Sequence, residues 1–69
     1  MQNINLETIR KAKSITQVEL AERCNVTQGT ISAWESGLWF PSFSNLVSLS
    51  KALDCTVDDL IREEKPNVK

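Results

Sequence analysis

Residues 17–36, QVELAERCNVTQGTISAWES, constrain the fold more than any other part of the chain. Thr16 precedes the stretch and Glu19 follows three positions later, which is the spacing of a capping box at the start of a helix. Asn25 stands where the chain must reverse, and asparagine adopts a left-handed backbone conformation more readily than most residues. The stretch therefore predicts two short helices, over residues 17–24 and 28–36, joined by one tight turn.

The side chains of this stretch predict which faces of its helices are buried. Ile31 and Trp34 form the inward stripe of the second helix, with Val26 in the turn and Thr27 as the N-cap. The apolar positions of the first helix are Val18, Leu20, Ala21 and Cys24. The free face of the second helix carries Gln28, Gly29, Thr30, Ser32 and Ala33. Amides pair with base edges and small side chains let the backbone come close, so this face is shaped to enter a nucleic-acid groove.

The segment before this stretch predicts one more helix, over residues 4–13. Asn3 is its expected N-cap, and Leu6, Ile9 and Ala12 face inward at helical spacing. The following link to Thr16 contains Ser14, and Ile15 in the same link points back into the core.

The segment after the stretch predicts two further helices. Gly37 supplies a left-handed C-cap, and Ser42 is the N-cap of helix four, whose apolar period continues to residue 53. Asp54 takes the next reversing position, and Thr56 with Asp59 repeats the capping pattern for helix five. No segment keeps the strict alternation of a strand. We predict one all-α, five-helix domain over residues 1–61 and a flexible C-terminal tail over residues 62–69.

Composition argues against several classes of function. The 69 residues include two cysteines and no histidine, so a zinc site would lack ligands. Cys24 and Cys55 lie at apolar positions and are predicted to be buried free thiols. We expect no enzymatic activity, no metal and no cofactor, because no group of residues is typical of a catalytic site. We also expect a cytoplasmic location without a membrane partner, because no apolar run has the length of a membrane span or a signal peptide.

These elements together resemble the helix-turn-helix of the phage-repressor, Cro and XRE-type DNA-binding family, over about residues 4–61. The matching positions are Gln17, Ala21, Val26, Ile31, Trp34-Glu35-Ser36-Gly37, Pro41-Ser42, Asn45-Leu46, Leu49, Ala52-Leu53 and Val57-Asp58-Asp59-Leu60. The resemblance implies a lambda-repressor-like fold and a repressor-like, sequence-specific regulator of transcription. Helix three would lie in the major groove of double-stranded DNA and helix two across the backbone. Homodimers are also implied, formed through helix five and its neighbouring loop or only on DNA.

The free face of helix three supplies the candidate base contacts. Gln28 matches a family position that often contacts bases, and its amide suits adenine N6 and N7. Thr30 can reach a base or a phosphate, Ala33 can meet a thymine methyl, and Ser32 is the weakest candidate. Two interpretations of Gly29 remain open, since it either lets the helix approach the groove or is a tolerated position that costs about 1 kcal/mol relative to alanine.

Candidate phosphate contacts lie at the starts of helices, where free N–H groups attract anions. They are Gln17, Thr27, Ser42 and Ser44, together with Arg10 and Lys11 of helix one. In the family an arginine at the end of helix one often meets the glutamate of helix three. The resemblance therefore also implies a structural ion pair between Arg10 and Glu35.

The loop formed by Leu38, Trp39 and Phe40 departs from the family, in which it often carries cations that touch the DNA backbone. These side chains either cover the edge of the core, which the small size of the domain favours, or form an exposed patch for dimerisation or a protein partner. The net charge of −1 also predicts modest affinity for phosphate. An alternative function is therefore a protein-interaction module on the same fold, of the antirepressor or antitoxin type.

Overall fold

Five α-helices and no strands make up the part of the chain that the computed structural model describes, residues 4–61. The helices are α1 (Leu6–Ala12), α2 (Gln17–Cys24), α3 (Gln28–Ser36), α4 (Phe43–Leu53) and α5 (Val57–Ile61). The all-α prediction is confirmed, and the bounds of α2 and α3 match the predicted ranges. Within the described range, no helix combines the length and the apolar character that crossing a bilayer requires.

The start of α1 differs from the prediction. The helix begins at Leu6 rather than at residue 4, and the predicted cap Asn3 lies outside the described residues. Asn5 holds the N-cap position, but its side-chain Nδ2 donates to the carbonyl of Asp59 at 3.1 Å instead of capping α1. Its backbone N–H donates to the carbonyl of Leu60 at 2.8 Å. The beginning of the domain is therefore joined to α5, across a sequence separation that no local pattern could reveal.

The predicted capping boxes are both present. Thr16 Oγ1 accepts from the backbone N–H of Glu19 at 3.0 Å, and the Glu19 carboxylate accepts from the N–H of Thr16 at 2.9 Å. Thr56 and Asp59 form the same pair of bonds at the start of α5, at 2.9 and 3.1 Å. The hydroxyl of Ser42 caps α4 by accepting from the N–H of Asn45, as predicted. Each bond satisfies an N–H that the first turn of a helix otherwise leaves without a partner.

Within residues 4–61, four residues adopt the left-handed backbone conformation. Asn25 (φ 59°), Gly37 (φ 84°) and Asp54 (φ 54°) end α2, α3 and α4, where the sequence predicts the chain to reverse. The fourth is Ser14, with φ of 60°, in the link between α1 and α2. Only glycine takes this conformation without steric cost, so Ser14 carries backbone strain here.

The core lies between the inward faces of all five helices. Its largest fully buried side chains are Leu6, Leu20, Ile31, Leu49, Leu53 and Leu60. Trp34 is only 4% exposed and joins them, as predicted. Two expected inward residues are instead exposed, since Ala12 lies on the surface of α1 and Val18 on the surface of α2. Helical spacing alone assigns more residues of α1 and α2 to the buried face than the small core of this domain can bury.

Both cysteines are free thiols, as predicted, although they are half-buried rather than fully buried. Cys24 and Cys55 pack against the core at the ends of α2 and α4. Burial raises the pKa of each thiol above its ordinary value, which keeps both protonated near neutral pH.

Candidate nucleic-acid interface

The N-terminal half of α3 presents small and amide side chains to solvent. Gln28, Gly29 and Ser32 are exposed, and Thr30 is half-buried. Thr27 caps the helix by accepting from the N–H of Thr30 at 3.1 Å, and the two threonine hydroxyl oxygens lie 2.9 Å apart. The sequence prediction of a free face is therefore confirmed in position for these residues.

Space around Gly29 is open rather than crowded. A Cβ added at this position would meet only Thr27 Oγ1, at 3.8 Å, which is an ordinary contact distance. The packing of the described residues does not require a glycine here. The space that the absent side chain leaves is open and lies on the exposed surface of α3.

The predicted position of Ala33 on the free face is wrong. Ala33 is 7% exposed. The chain also returns towards the end of α3 after the left-handed turn at Gly37. The backbone N–H groups of Leu38 and Trp39 both donate to the carbonyl of Ala33, at 3.0 and 3.3 Å. The presented face of α3 is therefore narrower at its C-terminal end than the sequence indicates.

A hydrogen-bonded chain, defined by Arg10, Glu35, Gln17 and Gln28, runs through three helices to the exposed end of α3. Gln28 Nε2 donates to Gln17 Oε1 at 3.2 Å, and Gln17 Nε2 donates to Glu35 Oε1 at 2.9 Å. Gln28 keeps its carbonyl oxygen and its second amide N–H for a ligand. That acceptor and donor are the pair that adenine N6 and N7 require.

The other end of this hydrogen-bonded chain is the predicted ion pair, which is confirmed. Arg10 Nε lies 2.5 Å from Glu35 Oε2, and Arg10 Nη2 donates to Glu35 Oε1 at 3.2 Å. The side chains of Arg10 and Glu35 are only 10% and 6% exposed. The hydrogen bond to Glu35 raises the pKa of the Arg10 guanidinium above its ordinary value.

Arg10 also holds the link between α1 and α2. Its Nη1 donates to the carbonyl of Ile15 at 2.9 Å, so all three guanidinium nitrogens bond within the domain. The same residue that pairs with α3 thereby fixes the loop that leads into α2. Through these contacts Arg10 fixes the positions of α3 and of the link before α2. Little of its side chain is left exposed to contact a phosphate.

The remaining phosphate candidates lie at the starts of α2, α3 and α4 and in the last turn of α1. Gln17 is half-buried within the hydrogen-bonded chain, whereas Thr27, Ser42 and Ser44 are exposed at the first turns of α3 and α4. Lys11 is exposed on α1, where its ammonium group lies 2.9 Å from the Glu7 carboxylate. The structure links Gln17 directly to the presented face of α3 and places Ser42 and Ser44 on a separate helix.

The loop after α3 is exposed, which decides between the two interpretations of its sequence. Leu38 is 73% exposed, Trp39 57% and Phe40 61%, so these side chains do not cover the edge of the core. Phe43, at the first position of α4, is 72% exposed and was not anticipated as a surface residue. Pro41, between them, is buried. The apolar loop is therefore a surface patch anchored by one buried proline.

Known proteins share both the sequence pattern and the fold. The helix-turn-helix family model matches residues 6–60. The HTH-type transcriptional activator BcrR of Enterococcus faecalis is 38% identical over 63 residues, covering 91% of this chain and 31% of BcrR. The repressor protein C2 of Salmonella phage P22 is 40% identical over 53 residues, covering 77% of this chain and 24% of C2.

The same repressor matches in three dimensions. Its crystal structure in complex with a synthetic operator superposes with a TM-score of 0.80 at 35% identity, covering 87% of this chain and 91% of that chain. A chain of the SinR protein/SinI protein complex superposes with a TM-score of 0.79 at 33% identity, covering 86% of this chain and 58% of that chain.

The shared region is smaller than the curated relatives themselves. The chain spans 24% to 52% of the length of those it matches. The match over residues 6–60 nevertheless includes α2, α3 and the turn between them, together with the helices that pack around them. The chain therefore belongs to the helix-turn-helix family.

Proposed function

We propose that this chain is a sequence-specific DNA-binding regulator of transcription, in which α3 enters the major groove and α2 lies across the backbone. The observation that carries the proposal is the hydrogen-bonded chain that ends at Gln28. It holds an amide at the exposed start of α3, ready to pair with a base edge, and anchors it to a buried ion pair. Preorganisation of this kind lowers the entropy lost when a side chain is ordered on binding.

The proposed contacts follow from exposure and chemistry. Gln28 would read a base, Gly29 would allow close approach, and Thr30 and Ser32 would flank them. Gln17, Thr27, Ser42, Ser44 and Lys11 would contact phosphates, while Arg10 would act mainly through Glu35. Phosphate contacts of this kind orient a protein on the duplex and carry no sequence information themselves.

The relatives support the same assignment. The P22 c2 repressor, which is similar over 87% of this chain, was crystallised on a synthetic operator. We infer that this chain likewise binds double-stranded DNA in the cytoplasm, acts on a promoter by steric or recruiting control, and performs no chemistry on DNA. On DNA, two copies would occupy two-fold-related half-sites.

The test is selection of bound sequences from randomised duplex DNA by the purified chain at two salt concentrations. We expect a two-fold-symmetric motif whose affinity falls steeply as salt rises, because phosphate contacts release counterions. The absence of an enriched motif at both salt concentrations would contradict the proposal.

A second candidate function, a protein-interaction module on the same fold, is favoured by one observation. The exposed loop of Leu38, Trp39 and Phe40 is apolar where a cationic loop would strengthen DNA binding. An apolar interface is nearly insensitive to salt, whereas phosphate binding is not. The affinity for a captured protein partner, measured at several salt concentrations, therefore separates the two functions. An affinity that changes little with salt would favour the protein-interaction module.

A further inference from the structure

A surface cavity of about 470 Å³ lies between α1 and the turn that joins α4 to α5. One wall is formed by α1 and its C-cap residue, with Ile9, Ala12 and Lys13 three and four positions apart on one face of the helix. The opposite wall includes Asp54 and Cys55. The residues proposed to contact DNA do not line this cavity. Its volume lies in the range of small-molecule sites, which is about 300–1,000 Å³.

The position of Ala12 shows that the apolar face of α1 extends beyond the core. Helical spacing groups Ala12 with Leu6 and Ile9, so the sequence predicts it to be buried. In the structure Ala12 is exposed and borders the cavity beside Ile9, which is half-buried. On the other wall the half-buried Cys55 packs against the core, and a protonated thiol behaves as a small apolar group. The cavity therefore has an apolar lining that the packing of residues 4–61 leaves open.

Two groups of opposite charge border this apolar lining. Lys13 lines the cavity at the end of α1 and Asp54 at the end of α4, and both residues are exposed. In the described part of the chain neither side chain forms an ion pair. Burial is the main reason that the pKa of the Cys55 thiol is raised, and the charges of Asp59, Lys13 and Asp54 also act on it. The ammonium group and the carboxylate therefore both lie near the Cys55 sulfur.

We propose that this cavity binds a small zwitterion with an apolar body, of the class of the apolar α-amino acids. The carboxylate of the ligand would meet the Lys13 ammonium group, and its own ammonium group would meet the Asp54 carboxylate. The apolar side chain of the ligand would lie on Ile9, Ala12 and Cys55. An uncharged apolar ligand would leave both charges of the cavity unpaired, and a ligand with a single charge would face one like charge.

The exposure of both charged groups predicts weak binding. An ion pair in contact with water contributes little free energy, because solvent screens it. Most of the affinity must then come from burial of the apolar part of the ligand. We therefore expect a dissociation constant of about 0.1–5 mM for L-phenylalanine.

Titration of the 69-residue chain with L-phenylalanine, followed by the amide resonances in NMR spectra, tests the proposal. We expect saturable shifts concentrated in residues 8–13 and 54–59. Two analogues separate the contacts of the ligand, since phenethylamine lacks the carboxylate and phenylpropanoate lacks the ammonium group. Each analogue should bind about threefold or more weakly than L-phenylalanine. Equal binding of either analogue would overturn the proposal of a zwitterion.

Two variants test the charged groups of the cavity. Lys13→Gln and Asp54→Asn each remove one charge, and asparagine also adopts the left-handed backbone conformation that Asp54 has. Each variant should weaken the binding of L-phenylalanine about threefold. Lys13→Gln should not weaken the binding of phenethylamine, which has no carboxylate to lose a partner. Lys51→Gln, which removes an exposed cation of α4 outside the cavity, is the matched control and should bind L-phenylalanine as the parent does.

The variant Ala12→Phe tests the cavity itself. The larger side chain should occupy the apolar lining and weaken binding about tenfold or more, because ligand sites bury most of the surface of their ligand. Ala12 is exposed, so the variant should fold, and thermal unfolding verifies this. An absence of saturable shifts up to about 20 mM L-phenylalanine, or an unchanged affinity in Ala12→Phe, would overturn the proposal. Because no DNA is present, these outcomes leave the proposed DNA binding untouched.

Discussion

Gln17 accepts a hydrogen bond from Gln28 at 3.2 Å, and this bond joins the first residue of α2 to the first residue of α3. The two glutamines are 11 positions apart, on either side of the tight turn at Asn25. Gln17 also donates to Glu35 near the C-terminal end of α3. The Gln28 amide at the start of α3 is therefore connected through Gln17 to the other end of the same helix. The orientation of the proposed reading side chain is therefore a property of the whole helix pair.

Gln28→Ala should relax sequence preference without abolishing DNA binding. A bidentate amide–adenine pair contributes about 1–3 kcal/mol of discrimination, so preference at one base pair should fall about tenfold or more. Phosphate contacts should keep nonspecific affinity close to that of the parent. Binding of the selected motif and of unrelated duplexes is measured by fluorescence anisotropy.

The control for this variant is Glu22→Ala, an exposed position of α2 outside the hydrogen-bonded chain. It should preserve the preference. Equal loss of specific and nonspecific binding in Gln28→Ala would show that Gln28 does not read a base.

Glu35→Ala should destabilise the domain by about 2 kcal/mol. The change leaves the Arg10 guanidinium with one internal carbonyl partner and removes the acceptor of Gln17. A charged group deprived of its partner at such low exposure carries its desolvation penalty uncompensated. Urea unfolding followed by circular dichroism measures the change in the free energy of unfolding. Lys11→Ala removes an exposed ion pair as the matched control, and it should leave the midpoint almost unchanged. A similar midpoint for both variants would show that the Arg10–Glu35 pair contributes nothing beyond a surface pair.

Ser14→Gly should stabilise the domain by about 0.5–1 kcal/mol. A non-glycine residue in the left-handed region costs about 1–2 kcal/mol, and the extra freedom of glycine in the unfolded chain offsets part of the gain. Ser14 is exposed, so no side-chain packing is lost. The midpoint of thermal unfolding should therefore rise. Ser32→Gly, at an exposed helical position of α3, is the opposite control and should lower it. A lower midpoint for Ser14→Gly would mean that its hydroxyl matters more than its backbone.

The capping box of α2 should make stability depend on pH in the acid range. The hydrogen bond from the backbone N–H of Thr16 is the main reason that the pKa of Glu19 is lowered from 4.5. A lowered folded-state pKa contributes stability above the unfolded-state value, and this contribution is lost as pH falls through the folded-state pKa. We therefore expect the urea concentration at the unfolding midpoint of the parent to decrease when the pH is lowered below about 4.5.

Glu19→Gln should flatten this dependence, because its amide does not titrate. Glu22→Gln removes a carboxylate from the same helix without touching the capping box, and its pH profile should stay close to that of the parent. Parallel profiles for Glu19→Gln and the parent would show that the capping carboxylate is not the group that titrates.

The parts of this structure that depend on neighbours in sequence were readable from the sequence. A capping bond links residues three positions apart, as Thr16 and Glu19 do, and a reversing residue such as Asn25 has its own backbone preference. The apolar period placed Ile31 and Trp34 in the core for the same reason. The ion pair of Arg10 with Glu35 came from family resemblance, since nothing local connects two charges 25 positions apart.

Tertiary packing alone decided the rest. Asn5 bonds to Asp59 and Leu60 rather than capping α1, because folding brings the first and last helices together. Gln17 has no sequence signal that predicts its bond to Glu35, since the contact exists only once α2 and α3 have packed. The sequence by itself determined the presence of five helices, the caps of α2 to α5 and the exposed start of α3. Only the tertiary structure decided that Ala33 is buried and Ala12 exposed, and which polar groups meet, because both depend on the space left between helices distant in sequence.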